Sequence, residues 1–451
     1  MKPHNQQKKR VPQVSSVKPA KELSPSSTQT IEIEKPIYGG NFLARQDGKA
    51  IFVPMALPGE TVRVHLVEDK AKRGYALAEL QQLVTAAPQR IAPRCPHFGP
   101  CGGCNYQHTD YAHQLQIKET ILRETFERAG IAGPDVIHVL SGDPWEYRNR
   151  IRVAFDAAGN PGYRERRSNA IVSIRECPIA APLLVRAALA AGDVLARVPH
   201  NLRPHELLLF SNADESGLLA TFFVRELAQL NLDSIACALH ERIPELRGGE
   251  LASGGRPGHP PRALAQWGAP SLVYRAAGVD YRVDNGAFFQ VNRRLIDALV
   301  GRVVADHRGA LAWDLFAGVG LFARLLAKHF EKVIAVESAP SSTPALAVNL
   351  AGTTGEAVAA STLDFLRENA AGPRPDLIVV DPPRTGLGEE INHLLSTIGP
   401  PRVVYVSCDP ATLARDLRAL LASGYAFESV TMADLFPQTF HLETIVCLRR
   451  T

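Results

Sequence analysis

From Ile31 to about Thr85 the chain is built of short apolar runs, Ile31/Ile33, Ile51-Phe52-Val53 and Val62/Val64/Leu66, with polar residues between them. Gly39-Gly40, Asp47-Gly48 and Pro58-Gly59 punctuate those runs. A period of two with Gly and Pro at this spacing predicts a small antiparallel β-barrel over 31–88. Apolar Leu115, Ile121, Leu122 and Phe126 then predict a helix from about Tyr111 to Ala129. From Trp145 to Ala287 the pattern is mixed: strand-like Arg150 to Phe155, Ala-Leu-rich helix near 183–196, and a Gly/Pro/Arg-dense loop over 248–261.

The last third alternates strands and helices as βαβ units do. Leu311–Leu315 is a strand, Phe316–Gly320 a glycine loop, Leu321–Phe330 a helix, and Lys332–Val336 a strand that ends at Glu337. Asp376–Val380 runs into Asp381-Pro382-Pro383-Arg384, and Arg402–Val406 into Ser407-Cys408-Asp409-Pro410. Phe440-His441-Leu442-Glu443 precedes the apolar strand Thr444–Leu448. The expected fold class is multidomain α+β and α/β. A basic tail (1–30), the barrel (31–88), a central domain (89–285) and a Rossmann-like catalytic domain (286–451) follow one another.

Composition narrows the class. The 451 residues are too many for one core. Without an uninterrupted apolar run of about 18 residues, a transmembrane helix is not expected. The tail carries Lys2, Lys8, Lys9, Arg10, Lys18 and Lys21 before its first acid, Glu22, and has no apolar segment of the secretory kind. It reads as disordered, and the chain as cytoplasmic, with no protein partner implied. The net charge of +4 suits a polyanionic partner without requiring one. Lys49, Arg63, Lys70, Lys72 and Arg73 on the barrel fit RNA binding or a merely solvated face equally well.

An odd count of seven cysteines argues against a disulfide framework. Cys95, Cys101 and Cys104 lie within ten residues, in a Gly/Pro-rich loop that can fold around a bound object. Iron-sulfur clusters tolerate one distant ligand, and Cys177 is the candidate; a zinc site completed by His97 or His108 is the rival. Cys408, at the end of an apolar strand, points into the crevice where open α/β sheets hold ligands, so its thiol is a candidate nucleophile. Asp381 ends a neighbouring strand, and Glu443, at the mouth of another, is a candidate base. The Asp-x-x-x-Gly-x-Gly order of the glycine loop, with Glu337 closing the next strand, favours S-adenosylmethionine over a dinucleotide.

These motifs, in this order, resemble the RNA uracil-5-methyltransferases, and within them the iron-sulfur-containing 23S ribosomal RNA branch. Pro58-Gly59-Glu60 resembles that family's TRAM domain, and Cys95-x5-Cys101-x2-Cys104 with Cys177 resembles its 4Fe-4S ligands. Phe288-Phe289-Gln290-Val291-Asn292, Asp314–Gly320, Asp381–Arg384, Ser407–Pro410 and His441–Thr444 resemble its catalytic motifs. The resemblance implies that Gln290, Phe316, Glu337, Asp364 and Asp381 bind S-adenosylmethionine, Cys408 adds to carbon 6 of a uridine, and Glu443 removes the carbon 5 proton. It implies 23S rRNA as the substrate, with tRNA as the alternative. Asp409 stands where asparagine is usual. Two other classes compete: an adenine amino-methyltransferase, which Arg384 and Cys408 oppose, and a non-catalytic RNA-binding protein.

Overall fold

The structure is a computed structural model that describes residues 28–70, 74–224, 232–254 and 262–451. The basic tail up to residue 27, Lys72, Arg73 and the 255–261 part of the expected loop lie outside the described residues. Strands Thr28–Ile37, Asn41–Gln46, Lys49–Pro54, Thr61–Lys70 and Tyr75–Thr85 close into a barrel, which therefore starts at Thr28 and not at Ile31. Its pairing is not wholly antiparallel, because Lys49–Pro54 runs parallel to Tyr75–Thr85. The alternating residues Ile31, Ile33, Phe42, Ala44, Ile51, Val53, Val62 and Val64 fill its interior. Glu60 is fully buried beneath it, and its carboxylate accepts from Arg90 and from the Leu57 amide.

The central region is a seven-stranded sheet, with helices Pro182–Leu195 and Leu232–His240 packed on one face. The glycines expected to mark a loop at 248–253 are instead inside the strand Leu246–Ser253, parallel to Leu218–Val224. A Cβ on Gly249 would stand 2.1 Å from the Ala220 carbonyl oxygen and 2.3 Å from the Trp267 ring. Glycine is there because the neighbouring strand and Trp267 come that close, not because the chain turns.

The catalytic sheet has eight strands. Its order is Gly355–Ala359, Phe330–Glu337, Gly309–Leu315, Leu377–Val380, Arg402–Ser407, Glu443–Arg450, Tyr425–Ala433 and His138–Leu140. The first five are parallel; Glu443–Arg450 pairs antiparallel to Arg402–Ser407. Val404 and Val406 enter the core on one face and Val403 and Tyr405 the core on the other. Successive side chains of a strand buried on both sides must do this, which is why the segment reads as an unbroken apolar run. The helix expected at Leu321–Phe330 shortens to Ala323–Leu326, because the strand already begins at Phe330.

The cores do not follow the expected domain boundaries. Helix Tyr111–Arg128 places Leu122 and Phe126 in a core with Tyr405 and Leu413, and His138–Leu140 forms the far edge strand of the catalytic sheet. Tyr274 and Tyr281, from the hairpin Ser271–Asp284, pack with Leu299 and Leu346 of catalytic helices.

Candidate active site and cysteine cavity

Strand order decides which polar groups meet. Leu377–Val380 lies between Gly309–Leu315 and Arg402–Ser407, so Phe316, Asp381 and Cys408 leave adjacent strands at the same edge. Glu443 reaches that edge from the opposite direction. Ser407 pairs with Thr444, so the next position along the ladder brings Cys408 opposite Glu443. Gln290 is buried beside them, with Nε2 donating to Asp381 Oδ2 at 3.4 Å.

The acids crowd one another. Burial raises Asp381 to about 7. Glu443 is 4% exposed and is pushed well above the usual carboxylate range by burial and then by the like charge of Asp381, with Arg384 opposing. The half-buried Cys408 thiol is pushed up to about 11 by burial, Glu443 and Asp381, again with Arg384 opposing. At rest, therefore, the thiol keeps its proton, and Asp381 and Glu443 compete to be charged.

The glycine loop meets Glu337. The Glu337 carboxylate accepts from the amides of Gly318 (2.8 Å), Ser338 (2.7 Å) and Ala339 (2.6 Å), while Phe316 and Gly318 both have left-handed backbones (φ 63° and 58°). A Cβ on Gly318 would meet nothing within 4 Å, so the backbone of the loop stands open at the strand ends. Asp364 stands apart. It lies in the first turn of helix Thr362–Asn369, 62% exposed at its side chain, bonded to Ser361 Oγ and paired with Arg367. Asp409 caps helix Pro410–Ala422 through the amides of Ala411 and Thr412, both at 3.0 Å, a task that aspartate performs as well as asparagine.

Three residues around the thiol were missed in the sequence. Arg384, read in the sequence as a motif residue and as an argument against adenine methylation but not as a neighbour of the thiol, is the cation that opposes the carboxylates. Its Nη2 donates to His441 Nδ1 (3.2 Å), which leaves the ring proton on Nε2, and burial followed by Arg384 holds His441 neutral, down to about 3. Tyr38, from the barrel, donates to the Cys408 carbonyl at 3.3 Å and packs edge-on against Phe440. Nothing local in the sequence signals that a barrel tyrosine reaches a strand end 370 residues away.

The segment from Asp434 to Phe440 is strapped down from the other half of the chain. Lys118 Nζ donates to Asp434 (2.6 Å) and to the Phe436 carbonyl, with both charged side chains fully buried. The amides of Asn105 and Tyr106 both donate to the Gln438 carbonyl, and Gln114 exchanges hydrogen bonds with Gln438. The residues immediately after Cys104 thus hold the segment that leads to Glu443.

Cys95, Cys101, Cys104 and Cys177 come together around one cavity of about 330 Å³, walled also by Arg148, Arg150, Arg152, Tyr163 and His97. Among the described residues no three His, Cys, Asp or Glu side chains converge tightly enough to hold a single metal ion. His108 is outside that wall; its Nε2 lies 3.0 Å from the Ala56 carbonyl, and burial pushes it down to about 4. His97 Nε2 accepts from the Arg175 amide. Of the two histidines of the zinc alternative, His97 is therefore in the cavity wall and His108 is not. Four thiols around a space of that volume suit a polynuclear group bound through sulfur.

The TRAM domain family matches residues 24–80, and the tRNA (Uracil-5-)-methyltransferase family matches residues 374–451. A 23S rRNA (uracil(1939)-C(5))-methyltransferase RlmD from Edwardsiella ictaluri is 34% identical over 429 residues, covering 90% of this chain and 92% of the relative. The same-named protein of Klebsiella pneumoniae is 34% identical, covering 91% and 93%. The crystal structure of Pyrococcus abyssi tRNA (uracil-54, C5)-methyltransferase in complex with S-adenosyl-L-homocysteine has the same fold. Its TM-score is 0.74 at 24% identity, over 93% of this chain and 100% of that one. Among the described residues no helix is long and apolar enough to cross a membrane. With that identity over nine-tenths of its length, the chain belongs to the RNA uracil-C5-methyltransferase family and is a methyltransferase of the S-adenosylmethionine-dependent fold.

Proposed function

We propose that this enzyme methylates carbon 5 of a uridine in 23S ribosomal RNA, through covalent addition of Cys408. The observation that carries the mechanism is the pairing of Ser407 with Thr444, which sets a thiol and a carboxyl face to face at one sheet edge. Carbon 5 of uracil is too weak a nucleophile to take a methyl group from a sulfonium unaided. The Cys408 thiol gives its proton to water, the thiolate adds to carbon 6, and the ring becomes an enolate with nucleophilic carbon 5. S-adenosylmethionine, when bound, supplies the methyl group. Glu443 then takes the remaining carbon 5 proton, the 5,6 double bond re-forms, and the thiolate leaves.

Each neighbour has a part in this scheme. Asp381 would orient the uracil edge, and Gln290, Phe316, Glu337 and Asp381 would hold S-adenosylmethionine, with Asp364 the outlying member of that set. Arg384 stabilises charge on sulfur as it develops. A buried site requires the uridine to be unpaired or flipped. The 23S substrate is favoured over tRNA because relatives named for 23S rRNA match along nearly the whole chain. We also assign a 4Fe-4S cluster to Cys95, Cys101, Cys104 and Cys177. It supplies four-point cross-linking of the central region, and no step of methyl transfer needs an electron.

With RNA and S-adenosylmethionine, Glu443→Gln should accumulate an RNA adduct that survives a denaturing gel, and Cys408→Ala should form none. An active Cys408→Ala enzyme would end the covalent scheme. Loss of 5-methyluridine from tRNA but not from 23S rRNA when the gene is deleted would move the substrate to tRNA.

A further inference from the structure

Arg148-Asn149-Arg150-Ile151-Arg152-Val153 has the alternation of a strand, and its two faces do different work. Ile151 and Val153 belong to the core with the helix Pro182–Leu195, and the guanidiniums of Arg148, Arg150 and Arg152 line the cysteine cavity. Arg152 is neutralised by Glu206, which also holds Arg164. Arg148 and Arg150 are not neutralised. The side-chain partner of Arg148 is the neutral Tyr147 hydroxyl (3.3 Å). Arg150 lies 4.5 Å over the Phe210 ring, and its Nε is sealed from solvent without a hydrogen-bond partner. The acid in the cavity wall, Glu176, is exposed to water. Two cations left beside an apolar-walled space are costly unless what fills the space is an anion.

We propose that Arg148 and Arg150 are the counter-charges of an anionic cluster held by the four cysteines, setting both how readily it accepts an electron and how firmly it is retained. This rests on the cluster assignment made above. A cubane of iron and sulfide bound by four thiolates is a dianion in its ordinary oxidised state, and two unneutralised guanidiniums balance it. One-electron reduction adds negative charge without making or breaking a bond, so each nearby cation favours it.

The test compares anaerobically purified wild type with Arg150→Met, which keeps the bulk, and Arg150→Lys, which keeps the charge. Arg150→Gln replaces the methionine variant if that one is insoluble. Dithionite titration followed by electron paramagnetic resonance should give a more negative midpoint potential for Arg150→Met and a value near wild type for Arg150→Lys. Loss of the near-400 nm absorbance to an iron chelator should be several-fold faster in Arg150→Met alone. Unchanged potential and unchanged bleaching overturn the proposal while leaving the cluster in place. A uniform fall in RNA affinity with an unaltered cluster overturns it too, making the row a phosphate contact. Wild-type protein that carries no iron overturns the cluster assignment itself.

Discussion

Sulfur occupies two opposite electrostatic settings in this molecule. Cys408 faces two carboxyls, Glu443 buried and Asp381 half-buried, with one arginine to oppose them, whereas the cysteine cavity gathers three arginines with one exposed acid. The first setting keeps a thiol protonated until something else enters, while the second sets cations beside its thiols and so suits a bound anion. A nucleophile that must add to a ring and then leave again is better dormant between turnovers, because a standing thiolate is prone to oxidation. A thiol that holds the proposed cluster never leaves. The two settings touch through Asn105 and Tyr106, which follow Cys104 and hold Gln438.

The largest expected effect breaks that connection. Lys118→Met leaves Asp434 buried and unpaired and should cost roughly 3–5 kcal/mol in urea unfolding. Pairing it with Asp434→Leu should recover most of the loss; a single variant as stable as wild type would show that the strap is not held by this pair. Next is the acidity of the crevice. Asp314, fully buried, is raised to about 8 by burial and then by Asp381 and Glu337. Its folded-state pKa is above the unfolded one, so the unfolded chain sheds that proton first, and stability falls as pH rises from about 4 to about 8. Asp314→Asn should therefore gain a few kcal/mol relative to wild type at pH 9 and little at pH 5, and an equal gap at both would remove the argument.

Smaller effects sharpen the contrast between the settings. Arg384→Met removes the cation that lowers the Cys408 thiol, so adduct formation should slow roughly tenfold at pH 7, about one pK unit of thiol acidity. Its acid limb should move to higher pH, and a profile that does not move would take Arg384 out of thiol activation. Tyr38→Phe keeps the ring against Phe440 but loses the hydrogen bond to Cys408. A roughly 3–10-fold fall in kcat is expected, the worth of one ordinary hydrogen bond. KM for RNA should stay unchanged; a rise in KM alone would make Tyr38 an RNA contact.

How legible each part was depended on the range of the interaction. The strands Arg150–Phe155 and Arg402–Ser407 and the helix Pro182–Leu195 were readable because their periodicity is local. Gly248 and Gly249 misled, since glycine for close strand packing and glycine for a turn look the same in a sequence. Helix Tyr111–Arg128 was readable as a helix but not as part of the catalytic core, because an apolar stripe does not name its partner. Arg384 was visible as a motif residue but not as a neighbour of the thiol, and the strap not at all, since Gln114 and Gln438 are ordinary residues until they meet.

By itself the sequence determined the chemistry carried: a thiol, two carboxyls and a glycine loop at strand ends, and three clustered cysteines with a distant fourth. Residue type and short-range period encode these directly. Only the tertiary structure decided what each group faces. The antiparallel register sets Cys408 opposite Glu443, the barrel brings Tyr38 to the same turn, and the central sheet turns Arg148 and Arg150 toward the cysteines. The physical reason is that acidity and charge balance depend on neighbours within a few ångströms, and in this fold those neighbours come from segments hundreds of residues apart.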